Sequence, residues 1–478
     1  MPENNHAHHE GSSRRTFLKT TSAIVGGAML GANAHIARSA HIGGSDEIKI
    51  ALVGCGGRGT GAATQALATK GKVTLWALAD AFDSCLQAGL HSIEDQVKRG
   101  KRDGDPLFKD ATINVPRERQ FVGLDAYQHA INSGADVILL ATPPHFRPIH
   151  FEASVKAGKH IFAEKPIATD AAGVRRFMTA NDEAKKKGTM VAIGLQRRHD
   201  PRYIETMKKV QDGALGDILF TRVYWNGGGL WVRPRAQFAS ANGHDPSEME
   251  YQVNNWYYFT WLSGDHIVEQ HIHNLDVGNW LLGDKHPVSA QGMGGRQVRT
   301  GKEYGQIFDH HFIEYTYNDG TKMYSQCRQQ DGTVGEVREH AHGTKGTLDI
   351  DDGGGPIIKT AQFGARTKGW RSVHKDGTWR MPTPKLDNHH QEQLDLYAAL
   401  RDGRTYNEGD YGAQSTMTAI LGRMASYSGQ IIKWDDALHK GIEMSPSAYD
   451  FSATPPALPD ANGHYPVPMP GQTKVLQG

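Results

Sequence analysis

Ile48-Lys49-Ile50-Ala51-Leu52-Val53-Gly54-Cys55-Gly56-Gly57-Arg58-Gly59 is the stretch on which the fold turns. Its first six residues are mostly apolar and rich in β-branched types, the composition of a strand buried on both faces. They run directly into a G-x-G-x-x-G pattern, and an alanine-containing segment, residues 62–68, then opens a helix. In that setting the glycines make a tight turn, let backbone approach a pyrophosphate, and permit close strand–helix packing. The pattern alone is weak in a chain with 55 glycines, so the flanking strand and helix carry the reading. Gly54, Gly56, Gly57, Arg58 and Gly59 are therefore the expected dinucleotide cradle.

Working outward, Val73 to Ala79 reads as a second strand that ends at Asp80. An acidic residue about 20 positions beyond the last glycine is where the ribose hydroxyls are held. Its carboxylate would repel a 2′-phosphate, and the next residues, Ala81 and Phe82, supply no arginine to receive one. NAD is expected rather than NADP. Residues 92–118, charged and glycine-spotted, read as an excursion before the next strand. Asp136 to Thr142 is another buried strand and ends in Pro143-Pro144-His145. A helix through His150 to Ala157 follows, and then Lys159 to Ala163 leads into Glu164-Lys165-Pro166. Val191 to Gly194 completes the sheet and leads to Gln196 and Arg198.

Strands alternating with helices at this rhythm imply right-handed crossovers and a doubly wound parallel α/β sheet. Ligands lie beyond the carboxyl ends of such strands. Thr142, Pro143, His145, Glu164 and Lys165 are thus expected beside the cofactor. An ammonium at Lys165 can hydrogen-bond a substrate hydroxyl and stabilise the charge left when its proton departs. The competing reading is a surface Glu-Lys pair in a turn; position at a strand end favours the site. Pro166 restricts the lysine to extended backbone geometry.

Over roughly residues 48–440 the chain resembles the Gfo/Idh/MocA family of oxidoreductases, named for glucose–fructose oxidoreductase, inositol dehydrogenase and a rhizopine-catabolism protein. The carriers are Val53 to Gly59, Ala141-Thr142-Pro143-Pro144-His145, Ala157-Gly158-Lys159 leading to Ala163-Glu164-Lys165-Pro166, and the segment from Glu269 towards Gly283. The Glu-Lys-Pro turn at this spacing is the most specific of them. The resemblance implies a Rossmann domain followed by an α+β domain with a large, mostly antiparallel open sheet, whose outer face serves oligomerisation. It also implies that Lys165 and His273 act at the reacting carbon. The family has Asp where this chain has Glu269, which puts that residue's role in doubt.

Ser263-Gly264-Asp265 precedes a helical pattern from about His266 to Leu282, stopped by Gly283. Glu269 and His273 are four apart, so a regular helix projects both from one face. That carboxylate would orient the imidazole and favour its protonated form, giving a base near neutrality. The plainer reading is a core histidine satisfied by Glu269. His266, His271 and His273 could suggest zinc, but His271 points elsewhere on a regular helix and no complete ligand set is evident, so no metal is expected. Beyond Gly283, Phe312 to Tyr317 and Lys322 to Cys327 alternate like antiparallel strands around the turn Asn318-Asp319-Gly320, and 343–348 continues them. Segments 391–400 and 413–428 read as later helices, and the Pro/Gly-rich end either wraps the body or hangs free.

Bulk properties agree with a small neutral ligand: 53 Lys plus Arg against 52 Asp plus Glu leaves a net charge of +1, which points away from nucleic acid. Three scattered cysteines give no disulfide framework. Ser13-Arg14-Arg15-Thr16-Phe17-Leu18-Lys19 and the short apolar run from Ala23 to Leu30 have the order of a twin-arginine export signal, too short to span a bilayer. A periplasmic or extracytoplasmic protein is expected, with domains at 1–45 (leader and linker), 46–198, 199–445 and 446–478. Folded export would suit an enzyme that takes up its dinucleotide in the cytoplasm and then retains it.

Trp225, Trp231, Trp256, Tyr257, Tyr258 and Trp261 offer aromatic faces for a sugar ring, and equally for a core. Trp256, Tyr224 and Arg198 are the candidate substrate contacts. Three functions stay open: an NAD-dependent dehydrogenase of a sugar or polyol CH–OH group; an enzyme that recycles retained NAD through a transient keto-sugar; and a non-catalytic sugar-binding protein.

Overall fold

In the computed structural model the described residues are 47–351, 355–360, 378–380 and 387–477. The twin-arginine segment lies outside them. Ile48–Val53 (β1) and Val73–Asp80 (β2) are buried along most of their length and pair in parallel. Thr112–Ile113 (β3), Gln120–Val122 (β4), Val137–Leu140 (β5), His160–Ala163 (β6) and Val191–Ile193 (β7) complete a sheet ordered β3-β2-β1-β5-β6-β7, with β4 also on β2. Every pairing in it is parallel. The order reverses between β1 and β5, which opens a crevice at their carboxyl ends.

Helices α1 (Gly57–Leu67), α2 (Asp83–Arg102), α3 (Ala126–Ile131), α4 (Arg147–Lys156) and α5 (Ala171–Lys187) make the crossovers. The expected excursion at 92–118 is corrected here, because its first part belongs to the 20-residue α2. Leu86, Ile93 and Val97 bury one stripe while charges cover the rest, and it was the charges that gave the segment its loop-like look.

A second sheet follows: Ile218–Gly227 (β8), Ser289–Gly295 (β9), His310–Thr316 (β10), Lys322–Gln329 (β11), Glu336–Gly343 (β12), Gly346–Asp351 (β13), Gly355–Thr360 (β14), Thr378–Arg380 (β15) and Ile432–Lys433 (β16). Its order is β15-β14-β13-β12-β8-β11-β10-β9-β16, antiparallel except where β8 meets β11. One face is covered by α11 (Ile272–Leu281) and α13 (Gly409–Ser428), so Val223, Ile313, Tyr315 and Met323 share a core with both helices. In the chain α6 (Pro201–Gln211) precedes β8, and α7 (Arg235–Asn242), α8 (Glu248–Asn254), α9 (Thr260–Ser263) and α10 (His266–Glu269) lie between β8 and β9; α12 (Asn388–Asp402) and α14 (Trp434–Lys440) come later.

Both sheets belong to one contact unit that begins at Ile48. The last segment wraps: Tyr465 and Ala457 are buried, and Gln477 N donates to Lys440 O at 2.7 Å.

Candidate active site

At two of its glycines the cradle leaves no room for a side chain, while a Cβ at Gly56 or Gly57 would meet nothing within 4 Å. A Cβ on Gly59 would stand 1.9 Å from Gly54 O. Gly54 itself has φ +97, and its added Cβ would meet the Ala141 and Thr142 backbone at 2.7 Å. Cys55 N donates to Asp80 Oδ2 at 2.7 Å and Phe82 N to Oδ1 at 3.0 Å, which aims the carboxylate at the cleft mouth. Two of its lone-pair positions are used in this way, so others remain for ribose hydroxyls. Burial raises the Asp80 pKa against those two hydrogen bonds. The resulting cavity, about 330 Å³, is lined by the glycines, Arg58, Asp80, Thr142 and Pro143, the residues that an extended dinucleotide would need.

Glu164 is buried, and its Oε1 lies 2.9 Å from Nε of Arg58, which belongs to that lining. Arg147 donates to the carbonyls of Thr142 and Pro166, tying the end of β5 to the Glu-Lys-Pro turn, whose Lys165–Pro166 peptide is cis. Burial lowers the pKa of this guanidinium to about 10.

Lys165 Nζ donates to Glu269 Oε1 at 2.9 Å and to Glu269 O at 2.6 Å. The second bond exists because the expected helix His266–Leu282 is broken. α10 ends at Glu269, and His271 N reaches back to His266 O, one residue further than an α-helical step. His273 N bonds to Gln270 O, so Glu269 O, which His273 N would otherwise occupy, is left for the lysine.

This corrects the expected Glu269–His273 pair. Glu269 holds Lys165, and His273 Nδ1 is buried without a hydrogen-bond partner. Burial lowers the His273 pKa well below the ordinary value, and the Lys165 and Arg197 charges lower it further. The ring is therefore a neutral base, not one poised near neutrality. Trp225 stacks on it with centroids 5.9 Å apart.

An ammonium at the end of the parallel sheet thus lies within electrostatic reach of a neutral imidazole on α11, and the neighbouring Glu164 is ion-paired with Arg58 of the glycine-lined cleft. Residues 48–195 match the family model described as oxidoreductase family, NAD-binding Rossmann fold. The first domain is thus similar to the Gfo/Idh/MocA NAD-binding domain. Beyond it, the chain is 25% identical over 242 residues to a scyllo-inositol 2-dehydrogenase (NAD(+)) of Bacillus subtilis (strain 168), covering 49% of this chain and 57% of that one. Only a little more than half of that relative's length is therefore spanned. An inositol 2-dehydrogenase 3 of Saccharopolyspora erythraea is 26% identical over 355 residues, 71% of this chain and 91% of that one. The fold matches the aldose-aldose oxidoreductase of Caulobacter crescentus with a TM-score of 0.58 at 20% identity, over 81% of this chain and 99% of that one.

Around the first domain, three expected contacts are placed elsewhere. His145 turns from the cleft: its Nε2 is 2.9 Å from Tyr449 Oη, its ring packs on Trp261, and burial lowers its pKa to about 4. Phe146 and His150 line the cleft in its stead. Arg198 is committed to Asp276 (Nη2–Oδ1 2.8 Å) and Asp284 (2.8 Å) and is buried between Trp280 and Tyr411. Tyr224 faces the outer side of the second sheet, against His340, because side chains alternate along β8 and Trp225 takes the inner side.

Trp256 lines the cofactor cleft beside the glycine loop, together with Trp231, Arg233, Val253 and Asn254. These second-domain residues roof the cradle, and Arg233 brings a guanidinium to the Asp80 end that no motif near Asp80 announces. Arg147 was likewise missed, since nothing local marks it, and Trp225, named among the aromatics open to a sugar ring or a core, packs on His273 instead. His266 also departs from the reading of the three histidines together: it joins Asp265 and His311 in a buried cluster. There Asp265 accepts from Phe308 N at 2.9 Å and Tyr427 Oη at 2.6 Å.

Proposed function

We propose that the protein transfers a hydride between NAD and a hydroxyl-bearing carbon of a sugar or polyol. The observation that carries this is Lys165, bonded to Glu269 at 2.9 Å and within electrostatic reach of His273, whose Nδ1 has no partner, next to Glu164, which is ion-paired with Arg58 of the glycine-built cleft. Gly54, Gly56, Gly57, Gly59 and Asp80 hold the dinucleotide, whose nicotinamide accepts or supplies the hydride. In the oxidative direction His273 takes the hydroxyl proton, and Lys165 donates a hydrogen bond to the same oxygen as charge builds on it. Glu269 positions the ammonium. The dehydrogenase names of the relatives support this class of substrate.

A second reading has its own observation. Trp231, Arg233 and Trp256 close over the cradle from the other domain, a geometry that slows cofactor release. With the export signal proposed at 13–19, retained NAD would serve repeated oxidation and re-reduction of a glycoside outside the cytoplasm. Self-association through the outer face of the second sheet is also proposed, where the cross-strand neighbours Met293 and Phe312 are exposed.

One experiment separates the readings: incubate the protein with a panel of inositols, sugars and glycosides, following nicotinamide absorbance and sugar products together. Accumulating NADH supports net dehydrogenation. Product without NADH supports internal recycling. Binding with neither would reduce the chain to a sugar-binding protein and overturn the proposal.

A further inference from the structure

Between α13, α9 and the C-terminal segment 442–475 lies a second cavity of about 300 Å³, which shares no lining residue with the dinucleotide cleft. Its walls are mainly apolar and include Trp261, Met424, Met444, Ala457 and Val475. Set among them is Arg423, only 4% exposed. Nη1 donates to Thr169 O at 2.7 Å and to Gly264 O at 3.2 Å. Among the described residues nothing else accepts from this guanidinium and no carboxylate pairs with it.

The carboxylates within electrostatic reach are already occupied. Asp170 caps α5 through Gly173 N at 2.7 Å and accepts from Met444 N at 2.8 Å. Asp265 is held by Phe308 N and Tyr427 Oη. At the rim Glu443 and Lys474 oppose each other in sign. Burial lowers the Arg423 pKa. A buried cation with no carboxylate in direct contact is costly, and its planar fork matches a carboxylate or phosphate in shape as well as sign.

We propose that this cavity binds a small organic anion, its carboxylate or phosphate on Arg423 and its apolar body against Trp261 and Met444. The site bears on the reaction as well. Thr169 continues the turn that carries Lys165, and Gly264 leads into α10, which carries Glu269. An anion drawing on the guanidinium therefore acts on both segments that position the reacting groups.

The test is calorimetric titration of the full chain, saturated with NAD so that the glycine cradle is taken, with benzoate and separately with inorganic phosphate. Saturable binding of either anion is expected. Tighter benzoate identifies a carboxylate ligand, and tighter phosphate a phosphate ester. Arg423→Gln should weaken the bound probe at least about tenfold. Because loss of a buried arginine can disturb folding, Met444→Trp, which fills the cavity and keeps the guanidinium, should weaken it by a similar factor while NAD affinity is unchanged. Absence of binding by both anions up to about 10 mM, or binding undiminished in the folded variants, would overturn the proposal.

Discussion

His199 and His273 are both nearly sealed from solvent, yet the first ring is held as a cation and the second as a neutral base. Burial pushes both towards neutrality. Around His199 the carboxylates win: Asp395 Oδ2 lies 2.7 Å from Nδ1 and Glu408 Oε1 3.1 Å from Nε2, and together they raise its pKa to about 10. Around His273 the nearby charges are Lys165 and Arg197, and the carboxylate four residues earlier has gone to the lysine. The destination of each carboxylate, more than depth in the core, decides which imidazole can accept a proton. One region is a structural clamp, the other a chemical one.

The largest effect that sharpens this contrast is on turnover. Lys165→Ala and His273→Ala should each lower kcat/KM at least about a hundredfold, roughly 2.7 kcal/mol of transition-state stabilisation. Dinucleotide binding, followed by NADH fluorescence, should persist. Full turnover in His273→Ala would remove the imidazole from the mechanism. Next, His199→Gln should leave kcat/KM within a few-fold but destabilise the fold by about 2 kcal/mol in urea titrations near pH 6. Equal losses of activity and stability would dissolve the distinction.

Stability should respond to pH in two directions. His199 has a folded pKa above its unfolded value of about 6.5, so its contribution is complete below that pH and is lost as pH rises towards about 10. His273, His271 and His150, all lowered chiefly by burial, behave oppositely: the neutral forms favour the fold above about 6.5, and that advantage is lost as pH falls. Thermal midpoints should therefore peak at about pH 6.5, falling on either side, and His199→Gln should flatten the alkaline limb alone. Over the same range kcat/KM should show no break between pH 6 and 7, because the catalytic imidazole is already deprotonated there. The smallest effect concerns β8. Tyr224→Phe should change kcat/KM less than about twofold, whereas Trp225→Leu, which removes the ring stacked on His273, should cost several-fold.

The cradle was legible because its requirements are contiguous: strand, glycines and helix occupy one short run, and Asp80 closes the next strand. Lys165 was legible for the same reason, as a turn at a strand end. Glu269 was read wrongly because periodicity assumes an unbroken helix, and the break at Gln270–His271 depends on packing; His271 Nε2 lies 2.8 Å from Ser325 Oγ on β11, a contact across the second sheet. Tyr224 and Trp225 differ by one position, and composition gives no parity for a strand whose two faces are both partly covered. Arg147 and Arg233 were hidden for a simpler reason: their partners lie in other segments of the chain, and no local pattern points to them; Trp231 and Trp256 were named as aromatics, but not as a roof over the cofactor cradle.

The break after Glu269 has one more consequence. One of the two acceptors that fix the reactive ammonium belongs to the main chain, so no change of side chain at that position can delete it. A change there to the shorter acid, or to an amide, would leave in place a contact that is set by the path of the backbone. Whatever acid stands beside it, a lysine anchored in this way keeps one of its two holds.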